Sequence, residues 1–159
     1  MKKNTKILMI STVGLEKNGI HTWIKSYYHV LEQNHQVSID IIAPTFSDEL
    51  FKKEIIENQG SWYVFPERKR NPLLYIFKLR KLMVERKYDI VHVHGSSNML
   101  SFELLAAKLA GCQVRISHSH NTSTDYTVLH NLLSVPFNLL TTDRLACGND
   151  AGRWLFREK

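Results

Sequence analysis

Lys6-Ile-Leu-Met-Ile-Ser-Thr12 is a short apolar run that leads into a glycine-bearing loop, Val13 to Gly19, and then into a helical pattern from about Ile20. A strand buried on both faces reads this way, and a strand, a glycine turn and a helix in that order open many parallel α/β sheets. Outward from this opening the alternation repeats. Val37-Ser-Ile-Asp-Ile-Ile-Ala43, Trp62 to Phe65, Ile90-Val-His-Val-His94, Val114-Arg-Ile-Ser-His118 and Arg144-Leu-Ala-Cys147 read as five further strands. Helical patterns separate them, from Ile20 to Gln33 with Trp23, Tyr27, Val30 and Leu31 on one side, from Asp48 to Asn58, and from Pro72 to Lys87. Asn98 to Ala110 and Val128 to Leu140 follow, the latter expected to break near Pro136, and Ala151 to Phe156 starts a last helix. Six such alternations predict a Rossmann-like, three-layer α/β/α domain on a parallel sheet of about six strands. In the usual strand order 3-2-1-4-5-6, the loops leaving the first, fourth and fifth strands meet, and chemistry is expected there.

The 159 residues suffice for one domain, taken as 1–159, and 43% hydrophobic with 23% charged residues is ordinary for a globular chain. Disorder, a coiled coil and a collagen-like rod are excluded on that balance. No apolar run approaches the ~18 residues of a bilayer span, and Lys-Ile-Leu-Met-Ile is too short for a signal-peptide core. Cys112 and Cys147 are far apart with no CxxC spacing, as expected of free thiols in the cytoplasm.

Charge is concentrated. Glu67 to Lys87 holds eight basic and two acidic residues, an excess of six that equals the net charge of the whole chain, +6. In the helix after Pro72, Tyr75, Ile76, Leu79, Leu82 and Met83 form a core-facing stripe, and Leu73, Phe77 and Val84 form a second one edged by Arg80, Lys81 and Lys87. An apolar strip bordered by cations suits an anionic membrane surface, so Arg68, Lys69, Arg70, Phe77, Lys78, Arg80 and Lys81 are the candidate membrane-facing residues. A helix packed on two sides with a solvated basic edge is the alternative. Nucleic acid is not expected as a partner, because no helix-turn-helix, zinc-finger or aromatic RNA-binding pattern occurs.

After the first strand, Gly14-Leu-Glu-Lys-Asn-Gly19 delivers the chain to a helix amino end, where free N–H groups and the helix dipole suit a phosphate. Gly14, Asn18 and Gly19 are the candidate diphosphate turn. The P-loop lysine and hydroxyl positions hold Ile20 and His21, so NTP hydrolysis is not expected, and no GxGxxG supports a nicotinamide or flavin. The fourth and fifth strands end in His92-Val-His94-Gly95 and His118-Ser-His120-Asn121. Residues two apart in a strand share a face, so four histidines gather at one edge. A packed, hydrogen-bonded role is expected for His92 and His118. Two His-x-His pairs could also ligate zinc, but no carboxylate is evident to orient the rings, and no metal is expected. An imidazole over a substrate hydroxyl remains. No nucleophile-elbow pattern supports a hydrolase.

The opening run, the Asn18-Gly19 turn, Asn34-His-Gln-Val37, Tyr88-Asp-Ile-Val-His-Val-His-Gly95, Arg115-Ile-Ser-His-Ser-His-Asn-Thr122 and Ala146-Cys-Gly-Asn-Asp-Ala-Gly-Arg-Trp-Leu-Phe156 stand in the order of one known pattern. By these motifs the chain resembles the amino-terminal half of a glycosyltransferase family 4 enzyme of the GT-B fold, in the branch that builds capsular polysaccharide and exopolysaccharide. The resemblance implies retaining transfer of a hexose from a nucleotide sugar, usually UDP-linked, to a hydroxyl of a lipid-linked saccharide, with no cofactor beyond the co-substrate. It implies contact of the transferred sugar by His120, or by His118 in its place. His21, His94, Gly95, Asn121 and Thr122 join His118 as the expected acceptor cleft. Family members often carry Gly-Gly where this chain has Asn18-Gly19, and an acidic residue where it has His21. The carboxy-terminal nucleotide-binding domain is expected to be missing, and with it the family's two glutamates with seven residues between them. Glu49 and Glu57 share that spacing but lack the surrounding glycines. The isolated half is expected to be inactive alone. A non-catalytic membrane-associated or partner-binding half, served by a separate donor-binding subunit, is the alternative.

Overall fold

The computed structural model describes residues 4–34 and 36–157; His35, within the Asn34–Val37 motif, lies outside them. Six strands, β1 (Thr5–Ser11), β2 (Val37–Ala43), β3 (Trp62–Val64), β4 (Ile90–Gly95), β5 (Val114–Ser119) and β6 (Asp143–Ala146), form one sheet in the order β3-β2-β1-β4-β5-β6. Every neighbouring pair is parallel, with Met9 opposite His92 and His94 opposite His118. This is the expected order, and it places the switch of direction between β1 and β4.

Among the described residues seven α-helices cover the sheet: α1 (Gly19–Leu31), α2 (Glu49–Glu57), α3 (Pro72–Arg86), α4 (Ser101–Leu109), α5 (Thr127–Leu132), α6 (Ser134–Leu140) and α7 (Asn149–Phe156). One core joins alternate residues of β1 and β2 (Ile7, Met9, Ile39, Ile41) to Ile24 and Tyr28 of α1 and to Phe51 and Ile55 of α2. The opposite core joins Leu8, Ile10, Val91 and Val93 to Leu79 of α3, Leu104 of α4, Phe137 of α6 and Leu155 of α7. The period of two in the strands thus supplies both cores, each strand feeding alternate residues to each side.

Three local expectations are corrected. The sheet-facing set of α1 is Ile20, Ile24 and Tyr28, four residues apart, which leaves Trp23 40% and Val30 69% exposed instead of packed. The break between α5 and α6 falls at Leu133, and Pro136 sits in the first turn of α6, where its missing N–H has no intrahelical acceptor to lose.

The third correction concerns the basic segment. Arg68 is no membrane residue. It is 8% exposed, its Nε donates to Glu103 Oε1 at 2.6 Å, and Glu103 is fully buried in α4. The remaining cations are at the surface or half-buried. Lys78 pairs with Glu67, Arg80 donates to the Leu109 carbonyl at 3.3 Å, and Lys81 lies 3.9 Å from Glu85. Tyr75, Leu79 and Met83 face inward as expected, and Leu73, Phe77 and Val84 are exposed at 80%, 61% and 44%. Among the described residues no helix is long and apolar enough to cross a membrane.

Removing one member of a buried ion pair strands the other charge. An Arg68→Met variant should lose about 3–5 kcal/mol of unfolding free energy, seen as a lower urea midpoint. Lys69→Met, on the exposed side of the same turn, should stay within about 0.5 kcal/mol of the parent.

A candidate active-site cleft at the carboxyl edge of the sheet

The loop after β1 is held from several sides. Leu15 is buried, its N–H donates to the Thr45 carbonyl at 2.8 Å, and the residue bridges to Phe46. Asn18 caps α1: its Oδ1 accepts from the His21 N–H at 2.9 Å, and its Nδ2 donates to the Gly14 carbonyl at 2.8 Å. Past this cap the amides of Gly19 and Ile20, which have no intrahelical acceptor, stand at the edge of an open cleft. A Cβ on Gly19 would meet nothing within 4 Å.

Val13, Asn18, Gly19, Ile20, Trp23, His120, Asn121 and Cys147 line this cleft of about 370 Å³. The turns after β1 and β5 therefore meet, as the strand order requires, joined by the turn after β6. A larger depression of about 520 Å³ lies between β6 and α7, lined by Arg144, Arg153 and Phe156 among others. It is farther from the switch point and has no titratable cluster, so the smaller cleft is the chemical candidate.

The loop after β4 supports the floor instead of lining it. Thr12 Oγ1 donates to the His94 carbonyl at 3.0 Å, and the His120 N–H donates to the Gly95 carbonyl at 3.2 Å. A Cβ on Gly95 would lie 2.6 Å from Thr12 Oγ1 and 2.7 Å from Leu100 Cδ2. Gly95 makes room for the Thr12 and Leu100 side chains, and Gly14 likewise for Thr45, where a Cβ would lie 2.2 Å from Thr45 Oγ1.

His92, His94, His118 and His120 all project toward α1 and form one tetrad. His92 Nε2 lies 3.2 Å from His118 Nδ1, and His94 Nδ1 lies 3.0 Å from His120 Nε2. The two bonded pairs lie one over the other, His92 on His94 at 4.1 Å and His118 on His120 at 4.4 Å between centroids, tilted by 31° and 26°. Trp23 stands edge-on to His118 and His120, and Tyr27 stands edge-on to His92 and His118. Burial, reinforced by the neighbouring rings, lowers the pKa of His92 to about 3, and burial with its neighbour His120 lowers that of His118 to about 4. Burial lowers His120 to about 4 and holds His94 well below the ordinary imidazole range. At neutral pH the tetrad is uncharged.

His92, His94 and His118 bring ring nitrogens within 4.8 Å of one another, the set among the described residues that could hold a metal. Tetrahedral zinc needs nitrogens about 3.3 Å apart with in-plane lone pairs converging on one point. His92 Nε2 and His118 Nδ1 already face each other at 3.2 Å, so the arrangement suits two hydrogen-bonded pairs better than a metal centre.

The expected cleft is therefore redistributed. His120 and Asn121 line it, while His94 and His118 are buried beneath it and Thr122 is exposed beyond it. His21 belongs elsewhere. Its Nε2 is 3.1 Å from Asp48 Oδ2, misaligned for a hydrogen bond, and its ring meets the edge of Phe51. Trp23 and Cys147 were not expected in the cleft. The one signal for Trp23 was its place one turn into the helix that begins at Gly19. Glu49 and Glu57 are surface residues of α2 paired with Lys52 and Lys53.

An open parallel sheet in this order, with a glycine turn and a cleft shared by Gly19 and His120 at its switch point, defines a Rossmann-like domain of the GT-B type. Residues 17–147 match the family model described as Glycosyltransferase Family 4, and the chain belongs to that family. It is 30% identical over 164 residues to EpsF of Bacillus subtilis strain 168, which is named for a glycosyltransferase; the match covers 98% of this chain and 42% of EpsF. Acinetobacter baumannii MurG superposes with a TM-score of 0.62 at 12% identity over 92% of this chain and 42% of its own. Staphylococcus aureus MnaA, in a structure with UDP, gives 0.63 at 16% identity over 96% and 42%. These two likenesses concern the fold. The chain spans under half the length of these proteins.

An imidazole that stays neutral in the fold but titrates near 6.5 in the unfolded chain makes the unfolded state take up protons first as pH falls. Stability should be full above about pH 7 and decline toward pH 4, by up to about 1.4 kcal/mol per pH unit for each such ring. Thermal melts between about pH 7 and pH 5 check this; a melting temperature flat across that window would show the rings are not held neutral.

Proposed function

We propose that this chain is the acceptor-side, amino-terminal half of a retaining glycosyltransferase that moves a hexose from a UDP-linked sugar to a hydroxyl of a lipid-linked saccharide in surface polysaccharide synthesis. The observation that carries this reading is the shared cleft of Gly19 and His120 in a chain of this family. The similarity to EpsF supports a role in polysaccharide synthesis, and the UDP bound to MnaA supports a uridine nucleotide donor.

The chemistry follows from the wall. The amides at the start of α1 present positive partial charge to a diphosphate entering from a donor-binding half. His120, uncharged, hydrogen-bonds the sugar being transferred, and Asn121 extends the polar wall. A binding energy concentrated at the sugar and diphosphate stabilises charge separation as the glycosidic bond to the nucleotide breaks. No side chain of the cleft is needed as a nucleophile. The donor-binding half supplies most nucleotide contacts, so residues 1–159 bind but do not turn over.

A second reading is a membrane-associated half that works with a separate subunit on the inner face of the plasma membrane. It is favoured by the exposed Leu73, Phe77 and Val84 beside Arg80 and Lys81, with Lys69 and Arg70 at the surface of the preceding turn.

Titration of a lipid-linked saccharide in detergent should show binding to this chain, weakened about tenfold or more by His120→Ala, with no sugar released from UDP-hexose. Equal binding by the variant would remove His120 from the site. Co-sedimentation with phosphatidylglycerol vesicles, compared with phosphatidylcholine vesicles, tests the second reading: neutralising Lys78, Arg80 and Lys81 together should weaken binding about a hundredfold, near 1 kcal/mol per charge.

A further inference from the structure

The tetrad has an orphan that fixes its protons. His94 is fully buried, and its Nε2 has no hydrogen-bond partner, while its Nδ1 lies 3.0 Å from His120 Nε2. A neutral imidazole carries one proton, on one nitrogen or the other. With the proton on Nε2, His94 would bury an N–H donor that no acceptor reaches, an arrangement folded proteins almost never tolerate. With the proton on Nδ1, the orphan is a lone pair, and the N–H points at His120. His120 Nε2 then accepts.

A neutral His120 that accepts at Nε2 must carry its own proton on Nδ1. That nitrogen has no partner among the described residues, and the ring lines the cleft with Gly19, Trp23 and Asn121. We infer that His94 is a positioning residue that locks His120 as the Nδ1–H tautomer, so that the cleft presents a fixed, uncharged hydrogen-bond donor to a substrate oxygen and not a general base. The depressed pKa values of both rings agree with a pair that shares no extra proton at neutral pH. Stacking on His118, the tilted ring of His94 and the indole of Trp23 set against it hold the His120 plane against a flip that would exchange its nitrogens.

The substrate oxygen follows from the donor. A fixed N–H favours an acceptor that gains negative charge or has lone pairs in a set direction, such as a hydroxyl of the transferred sugar. This clause rests on the proposed function; the tautomer does not, so it is measured without substrate.

The test is long-range ¹H–¹⁵N NMR of the histidine rings in residues 1–159 at neutral pH. In the parent, His120 should show Nδ1 protonated and Nε2 with a free lone pair. His94→Asn, whose side-chain amide reaches about where Nδ1 lies, should keep that pattern. His94→Leu should lose it, giving the Nε2–H form or a mixture, and should move the His120 pKa upward, since the N–H that opposed protonation at Nε2 is gone. Should the leucine variant fail to fold, the parent spectrum still decides. An Nε2–H signal for His120 in the parent, or an unchanged tautomer in a folded His94→Leu chain, overturns the inference. So does stoichiometric uptake of Zn²⁺ with joint shifts of His92, His94 and His118 nitrogens. Loss of saccharide binding in His120→Ala, together with the Nδ1–H form of His120 in the parent, upholds both readings; intact binding in the variant overturns the proposed function and leaves the tautomer standing.

Discussion

Four imidazoles share one face of two adjacent strands, and they can do so while uncharged. A proton on any of them would sit among three other rings with little water to solvate it, and Coulomb repulsion with a second charge at 4–5 Å centroid separation would add to that cost. Neutrality permits the pairing, because each ring then has one donor and one acceptor, and each bonded pair sets one against the other. It also dictates the cover: Trp23 and Tyr27 lie over the tetrad as edge-on aromatics, which shields it without contributing a charge of their own. Register does the rest. His94 opposite His118 puts the second pair one step nearer the carboxyl ends, so the outermost ring emerges where the helix amino end of the β1 turn also emerges.

Much of this was legible before any coordinates. Alternating β-branched runs and helical patterns gave the layers, and the strand order followed from parallel crossovers. The two His-x-His repeats pointed to a cluster because the side-chain period of a strand is two, a rule that local sequence cannot evade. What sequence could not supply was contact across the chain. The sequence already suggested packed roles for His92 and His118; that His94 joins them beneath the cleft is visible only in its burial. Hydrophobicity suggested Trp23 and Val30 for the packed side of α1, yet Ile20, Ile24 and Tyr28 sit one sector away and make the contact with the sheet. Trp23 is thereby freed to wall the cleft.

Arg68 illustrates the same limit for charge. It is followed by Lys69 and Arg70, and the run reads as a solvated or lipid-facing edge. Its partner is Glu103, 35 residues on and in the first turn of α4, where the helix dipole already suits a carboxylate and nothing local points to Arg68. The pair ties the turn before α3 to α4, and α3 and α4 pack side by side behind it. The exposed strip of Leu73, Phe77 and Val84 is thus mounted on a helix whose base is fixed by a buried bond, so whatever that strip meets is met by a rigid edge.

Of the two thiols, Cys112 is buried against backbone carbonyls of Asp89 and Val114, while Cys147 is exposed and its Sγ rests 3.3 Å from the His120 carbonyl. A mild alkylating dye would therefore find one of them and leave the other alone. The attached fluorophore would hang beside the very ring whose surroundings matter most, turning an incidental sulfur into a local gauge of how crowded that corner becomes when a guest arrives.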